Sequence, residues 1–126
     1  MKKTLLTLIV VMFSMFTYAQ SSYRKTLDSK AEKISSAKSI ADYDKLFNEF
    51  SDLTRNPDSY RWKAYYYTAL VLYKKSEFLL ASNKKSDISY FNGLAKKYVM
   101  GSLSAMPDDK DNNELMQLIT EQKSLK

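Results

Sequence analysis

Two prolines and two glycines are all the backbone breakers in a chain of 126 residues. That scarcity limits what the chain can fold into more than any motif does. Pro57 and Pro107 bracket a stretch in which apolar side chains recur at three- and four-residue spacing. Alternating β-branched runs are missing, so the pattern is helical rather than extended. The sequence predicts an all-α protein of about five helices in antiparallel pairs.

The first helix spans about Tyr23 to Lys38, with Leu27, Ala31, Ile34 and Ala37 along one side. Its apolar side chains are small, which marks an edge helix. The second runs from Ile40 to about Thr54, with Tyr43, Leu46, Phe47, Phe50 and Leu53 in a stripe. Ser39 followed by Asp42 forms a capping box, in which side-chain oxygens take up free N–H groups of the first turn. Asn56-Pro57-Asp58-Ser59 stops one helix and starts the next, with Asn56 or Asp58 as cap. A long third helix follows, about Pro57 to Ala81. The polar connector Ser82 to Ser86 leads into a fourth helix, Asp87 to Met106, capped by Ser86. The run Asp108 to Asn113 reads as a loop before a last helix carrying Leu115, Met116, Leu118 and Ile119.

The third helix contains Trp62-Lys63-Ala64-Tyr65-Tyr66-Tyr67. Successive helical residues turn by about 100°, so adjacent tyrosines cannot share a face. Trp62, Tyr65, Tyr66, Ala69, Leu72, Tyr73, Leu79 and Leu80 fall in one sector. Ala64, Tyr67, Val71 and Phe78 fall in a second, nearly opposite. Lys63, Lys74 and Glu77 follow one seam between the sectors, and Thr68 and Lys75 the other. A helix apolar on two sides is sandwiched by neighbours. The first sector is therefore expected in the core, with Trp62, Tyr66, Ala69 and Tyr73, and Ala95, Val99 and Ser102 of the fourth helix are expected in the core as well. Two readings stay open for the second sector. Tyr67 and Phe78 either line a groove or lie beneath the first helix.

The N-terminus reads as a secretory signal peptide. Lys2 and Lys3 precede a 12-residue apolar run, Leu5 to Phe16, and Thr17-Tyr18-Ala19 ends in a small residue. Cleavage after Ala19 leaves a single domain, residues 20–126, of 107 residues with a net charge of +4. The apolar run is shorter than the roughly 20 residues a membrane-spanning helix needs. A cysteine-free chain is not a lipoprotein and holds no disulfide. The expected address is the periplasm or the extracellular space, with no membrane span in the mature chain.

Composition also argues against several chemistries. The chain has no histidine, which removes the commonest general base and transition-metal ligand. Two glycines leave no phosphate-cradling loop. Carboxylates do cluster, as Asp42, Asp44, Glu49 and Asp52 on the second helix and Asp108, Asp109 and Asp111 in the late run. Acid–base work requires one of a pair held in a dry pocket. These lie in polar contexts and read as caps and solubilising charge. The late run lacks the glycine and closing glutamate of a calcium loop. The expectation is a protein that is not an enzyme and uses no cofactor or metal. Its scattered, mildly basic charge is not a nucleic-acid signature.

Ala95, Val99, Ser102 and Pro107 reproduce the spacing of the second helix in a tetratricopeptide repeat, and Trp62 fits that repeat's first helix. On those residues the chain resembles the tetratricopeptide repeat family, whose unit of about 34 residues pairs two antiparallel helices. The Trp62-to-Ala95 interval is longer than the family's, and Tyr65, Tyr66 and Ala69 rearrange its large and small positions. The likeness extends to small exported bacterial proteins of this type. It implies an α-solenoid fragment or small helical bundle whose first helices hold a protein or peptide, with Lys63, Tyr67 and Leu70 on the holding surface. Val71, Lys74 and Phe78 extend that face. Family members that clamp a terminal carboxylate use Lys and Asn; Lys63 has a clamp-like place, but Tyr67 stands where the Asn belongs.

The leading expectation is a non-enzymatic interaction module of the bacterial envelope, completed by an unidentified partner or a second copy of itself. The alternative is binding of an anionic polymer through Lys74, Lys75, Lys84, Lys85, Lys96 and Lys97.

Overall fold

The computed structural model describes residues 22–83 and 87–123. The signal-peptide segment, the connector Lys84 to Ser86 with its expected cap, and the last three residues lie outside them. Among the described residues the chain is all-helical, without a strand. The helices are α1 (residues 22–31), a short 3-10 turn at Ile34–Ser36, α2 (Ile40–Leu53), α3 (Arg61–Ala81), α4 (Ile88–Ala105) and α5 (Lys110–Lys123). α1 ends earlier than its periodicity predicts, and the 3-10 turn carries the chain on to α2.

Local chemistry sets the helix starts. At α2, Ser39 Oγ accepts from Asp42 N–H at 3.2 Å, and the Asp42 carboxylate accepts from Lys38 N–H at 2.9 Å. That backbone donor, helped by Ser39, holds Asp42 below the usual carboxylate range. At Asp58 the carboxylate accepts from Tyr60 N–H at 2.8 Å, closing a turn. The turn delays α3 to Arg61, several residues after Pro57. The late aspartate run is a helix start and not a loop throughout. Asp109 Oδ2 accepts from Asn112 N–H at 2.9 Å, and α5 is helical from Lys110. α3 stops at Ser82 and Asn83. Asn83 takes φ of 59°, a left-handed position that asparagine tolerates beyond a helix end.

α3 belongs to two cores. Its second sector, Ala64 and Val71 with Tyr67 and Phe78 beside them, packs on Tyr23, Leu27 and Ile34 and on Tyr43, Leu46 and Phe50 of α2. Its first sector, Ala69, Leu72 and Tyr73 with Tyr66 alongside, packs on Ala95 and Val99 of α4 and Leu115 and Ile119 of α5. Full burial of Phe50 alone is worth about 2–3 kcal/mol. Contacts between helix ends give the directions. Tyr23 Oη donates to the Leu53 carbonyl at 2.8 Å, so α1 and α2 run antiparallel. Gly101 brings the end of α4 against the Tyr65 ring at the start of α3, where an added Cβ would lie 3.0 Å from Cδ1. α1, α3 and α5 therefore run one way, and α2 and α4 the other.

α5 is held by amides as well as by Leu115 and Ile119. Buried Asn112 accepts from Ser102 Oγ at 2.7 Å and donates to the Met106 carbonyl at 3.2 Å. Buried Gln122 donates to the Tyr73 carbonyl at 3.1 Å and accepts from Asn92 Nδ2 at 3.1 Å. Asn92 also donates to the Ile119 carbonyl at 2.8 Å. Each buried amide has partners, so its desolvation is offset.

Candidate functional site

The two seams of α3 have different fates. Thr68 and Lys75 are buried, although the sequence places them on a polar edge. α2 and α4 meet over this seam, where the Phe47 and Tyr98 rings approach edge-on at 6.1 Å. Lys75 Nζ survives there by pairing with Asp44 at 2.6 Å and lying 3.8 Å from the Phe91 ring centroid. Its four-carbon stem fills the seam while the ammonium reaches its acid. Ser76 is also buried, and its Oγ has no hydrogen-bond partner.

The opposite seam stays open between α1 and α5. It runs through Lys63, Leu70, Lys74 and Glu77, with Tyr66 and Tyr67 on either side. Leu70 is half-buried and touches both cores. Lys74 is exposed and pairs with Glu77 at 3.6 Å. Lys63 has only 14% of its side chain exposed and pairs with Asp111 of α5 at 3.7 Å. Its Nζ lies 5.3, 4.6 and 5.5 Å from the ring centroids of Trp62, Tyr66 and Tyr67. Those distances lie within cation–π reach of all three rings. A second cation sits on the same cluster, since the Arg24 guanidinium lies 4.5 Å above the Tyr60 ring and Tyr60 meets Trp62 edge-on at 5.6 Å. Tyr67 Oη donates to Asp28 of α1 at 3.5 Å.

The phenols of this strip titrate high. Burial, followed by the charges of Asp111, Asp109 and Glu114, pushes Tyr66 up to about 12. Burial and then Asp28 raise Tyr67 as well. Burial, with Glu77 behind it, pushes Tyr73 up to about 12. These tyrosines stay neutral hydrogen-bonding groups across physiological pH.

Several expected site residues need correction. Val71 is 0% exposed and Phe78 packs against Tyr43 at 5.8 Å between ring centroids, so α1 and α2 cover that stripe and leave no groove along it. Trp62 is half-buried and lies outside both core clusters. The late start of α3 explains this, because it puts Trp62 in the first turn, at the rim of the bundle. Tyr66 is half-buried, whereas Ala69, Tyr73, Ala95, Val99 and Ser102 are buried. Of the expected partner face, Lys63, Tyr67, Leu70 and Lys74 come together on the open strip.

The lysines suggested for a polymer do not form one surface. Lys75 is buried, Lys74 is paired with its neighbour, Lys96 and Lys97 lie exposed on α4, and Lys84 and Lys85 fall outside the described residues. The second-helix carboxylates have structural duties. Asp42 caps, Asp44 pairs with Lys75, Glu49 pairs with Lys30 at 3.3 Å and Asp52 lies 3.9 Å from Arg55. Among the described residues, no group of three or more Asp or Glu side chains is placed to hold a metal ion. No described helix is long and apolar enough to cross a membrane.

Fold and strip together define a small helical bundle whose central helix keeps one aromatic and charged flank open. The chain matches no known family model, no curated protein and no solved structure.

Proposed function

We propose that this protein is a non-enzymatic interaction module of the bacterial envelope, tetratricopeptide-like in its plan, which holds a protein or peptide along the open strip of α3. One observation carries this reading. Lys63, Tyr66, Tyr67, Leu70 and Lys74 lie together on the flank of a central helix that other helices enclose on its remaining sides. A chain segment laid between α1 and α5 would meet an apolar floor at Leu70, ring faces, and charges at both ends. Such mixed aromatic and polar strips are the usual material of protein interfaces. The parallel course of α1, α3 and α5 supports the repeat-like plan. Export rests on the leader-like residues 1–19, with a mature start at Gln20 that N-terminal sequencing of the exported protein checks.

The test of the strip is a photo-crosslinking residue placed at Leu70, used in cells that export the protein. A control probe replaces Tyr90, which is 67% exposed on α4. A discrete adduct from position 70 and none from position 90 is the expected result. Equal labelling from both positions, or adducts from position 90 alone, removes the strip as the binding surface.

A further inference from the structure

The two glycines of the chain stand in α4 for different reasons. Packing requires Gly101, because an added Cβ would lie 3.0 Å from Cδ1 of the Tyr65 ring. Gly93 has no such duty. An added Cβ there meets nothing within 4 Å, its φ is not left-handed, and it is exposed in the second turn of α4. Glycine weakens a helix interior relative to alanine, so the fold gains nothing from it. What Gly93 supplies is an unhindered backbone nitrogen directly after Asn92, and no other asparagine of the chain precedes a glycine. That pairing is the one in which an asparagine amide is most readily lost. The Gly93 nitrogen attacks Asn92 Cγ, the new C–N bond closes a five-membered succinimide, and the side-chain nitrogen leaves as ammonia with the Gly93 proton. Water then opens the ring to aspartate or isoaspartate.

α5 keeps this chemistry closed. Asn92 is 3% exposed, and its Nδ2 donates to the Ile119 carbonyl at 2.8 Å and to Gln122 Oε1 at 3.1 Å. Gln122 is itself fixed by donating to the Tyr73 carbonyl at 3.1 Å. Ring closure also needs the Asn92 ψ to leave the helical region. α4 alone resists that weakly, since Asp87 at its start makes no side-chain cap bond and glycine lies in its second turn. We infer that Asn92-Gly93 is a deamidation site locked by α5, and that its conversion releases α5 irreversibly. A carboxylate at position 92 would face the Ile119 carbonyl and Gln122 Oε1, two oxygens that both need a donor. An isoaspartate would also lengthen the backbone and break the hydrogen-bond ladder of α4. The released helix uncovers Leu72, Ala95 and Val99 of the second core and withdraws Asp111 from Lys63 at the open strip. This removes one wall of the strip, whatever the strip holds.

Peptide mass spectrometry of the full chain, held in warm neutral buffer, follows conversion at position 92. The folded protein should convert far more slowly than the same chain in urea. Gln122→Ala should convert about tenfold faster than the parent without urea, because losing a buried hydrogen-bond partner raises the locally open population. Ile34→Val loosens the first core instead and should accelerate conversion less. Gly93→Ala should keep the fold by circular dichroism and suppress conversion even in urea. Asn92→Asp stands in for the aspartate product. Hydrogen exchange should show α5 unprotected in that variant while the Phe50 and Val71 amides stay protected. Equal conversion with and without urea, or acceleration by Gln122→Ala no greater than by Ile34→Val, overturns the lock. Undiminished conversion in Gly93→Ala overturns the site. Full protection of α5 in Asn92→Asp, or unfolding of that whole variant, overturns a release confined to α5.

Discussion

Lys63 and Lys75 stand on the same helix and are both largely shielded, yet their surroundings differ in kind. Lys75 is closed in by two helices, paired with Asp44 at 2.6 Å and pressed on Phe91. Lys63 is shielded by rings beside it, and its pair with Asp111 is looser, at 3.7 Å. The first lysine is part of how α2, α3 and α4 fit together. The second lies on a surface that nothing in the fold needs to close. Burial of a charged residue therefore does not by itself distinguish an internal brace from the edge of an open seam; the number of helices converging on it does.

The sharpest test of this contrast is Val71→Asp. Val71 is fully enclosed next to the open seam, and an unpaired carboxylate there should cost at least ~3 kcal/mol and abolish cooperative unfolding. A folded, cooperative variant would mean that α1 and α2 do not cover that stripe. Thermal denaturation followed by circular dichroism decides.

Alkaline pH should produce the next largest effect. Tyr66 and Tyr73 beside the open seam, and Tyr23 behind it, are each pushed up to about 12, chiefly by burial. Their unfolded counterparts titrate near 10. The folded state thus holds the proton longer, so the stability it confers is complete below pH 10. It declines as pH rises from about 10 to about 12, because the unfolded chain ionises first. Urea midpoints measured across that range should fall, with tyrosinate absorbance in the native protein rising only towards the upper end. Constant midpoints would contradict the burial of these phenols.

Trp62→Ala separates rim from core. A fully buried tryptophan would cost about 3–5 kcal/mol, but the half-buried indole should cost about 1–2 kcal/mol. Chemical denaturation at neutral pH reads the difference directly. The smallest effect belongs to the closed seam. Ser76→Ala removes a buried hydroxyl that has no partner, and should stabilise the fold by up to about 1 kcal/mol. A loss of stability would show that Oγ has a hydrogen-bond partner in solution.

Much of this arrangement is legible in the sequence, and particular residues show where legibility stops. The sandwiching of α3 follows from its two apolar sectors, and the α2 cap follows from Ser39 and Asp42. Which seam would be left open does not follow. Thr68 with Lys75 and Lys63 with Lys74 look alike as polar seams, and only the meeting of α2 and α4 closes one of them. The sequence places Trp62 too deep because Pro57 fits a helix start so well. Asp58 instead takes the Tyr60 N–H and spends the intervening residues on a turn. The burial of Asn92, Asn112 and Gln122 is not legible in the sequence, since it depends on partners 27 to 49 residues away or on the neighbouring helix end. Helical geometry and the resemblance to a repeat both point to Lys63 and Tyr67 of the strip, and the resemblance alone to Leu70, whereas Arg24, Asp28 and Asp111 belong to it through tertiary packing alone.

The amides that seat α5 work like two notches on a gauge. Asn112 and Gln122 are separated by about 15 Å along the helix axis, and each must meet its own partners in α3 or α4. Sliding α5 by one turn would bring Met116 to the place of Asn112 and leave Ser102 Oγ facing a thioether. Leucine and isoleucine alone would accept such a slip at little cost, but hydrogen bonds with fixed directions would not. The last helix has one seat, and its amide protons should exchange together as a unit rather than one turn at a time.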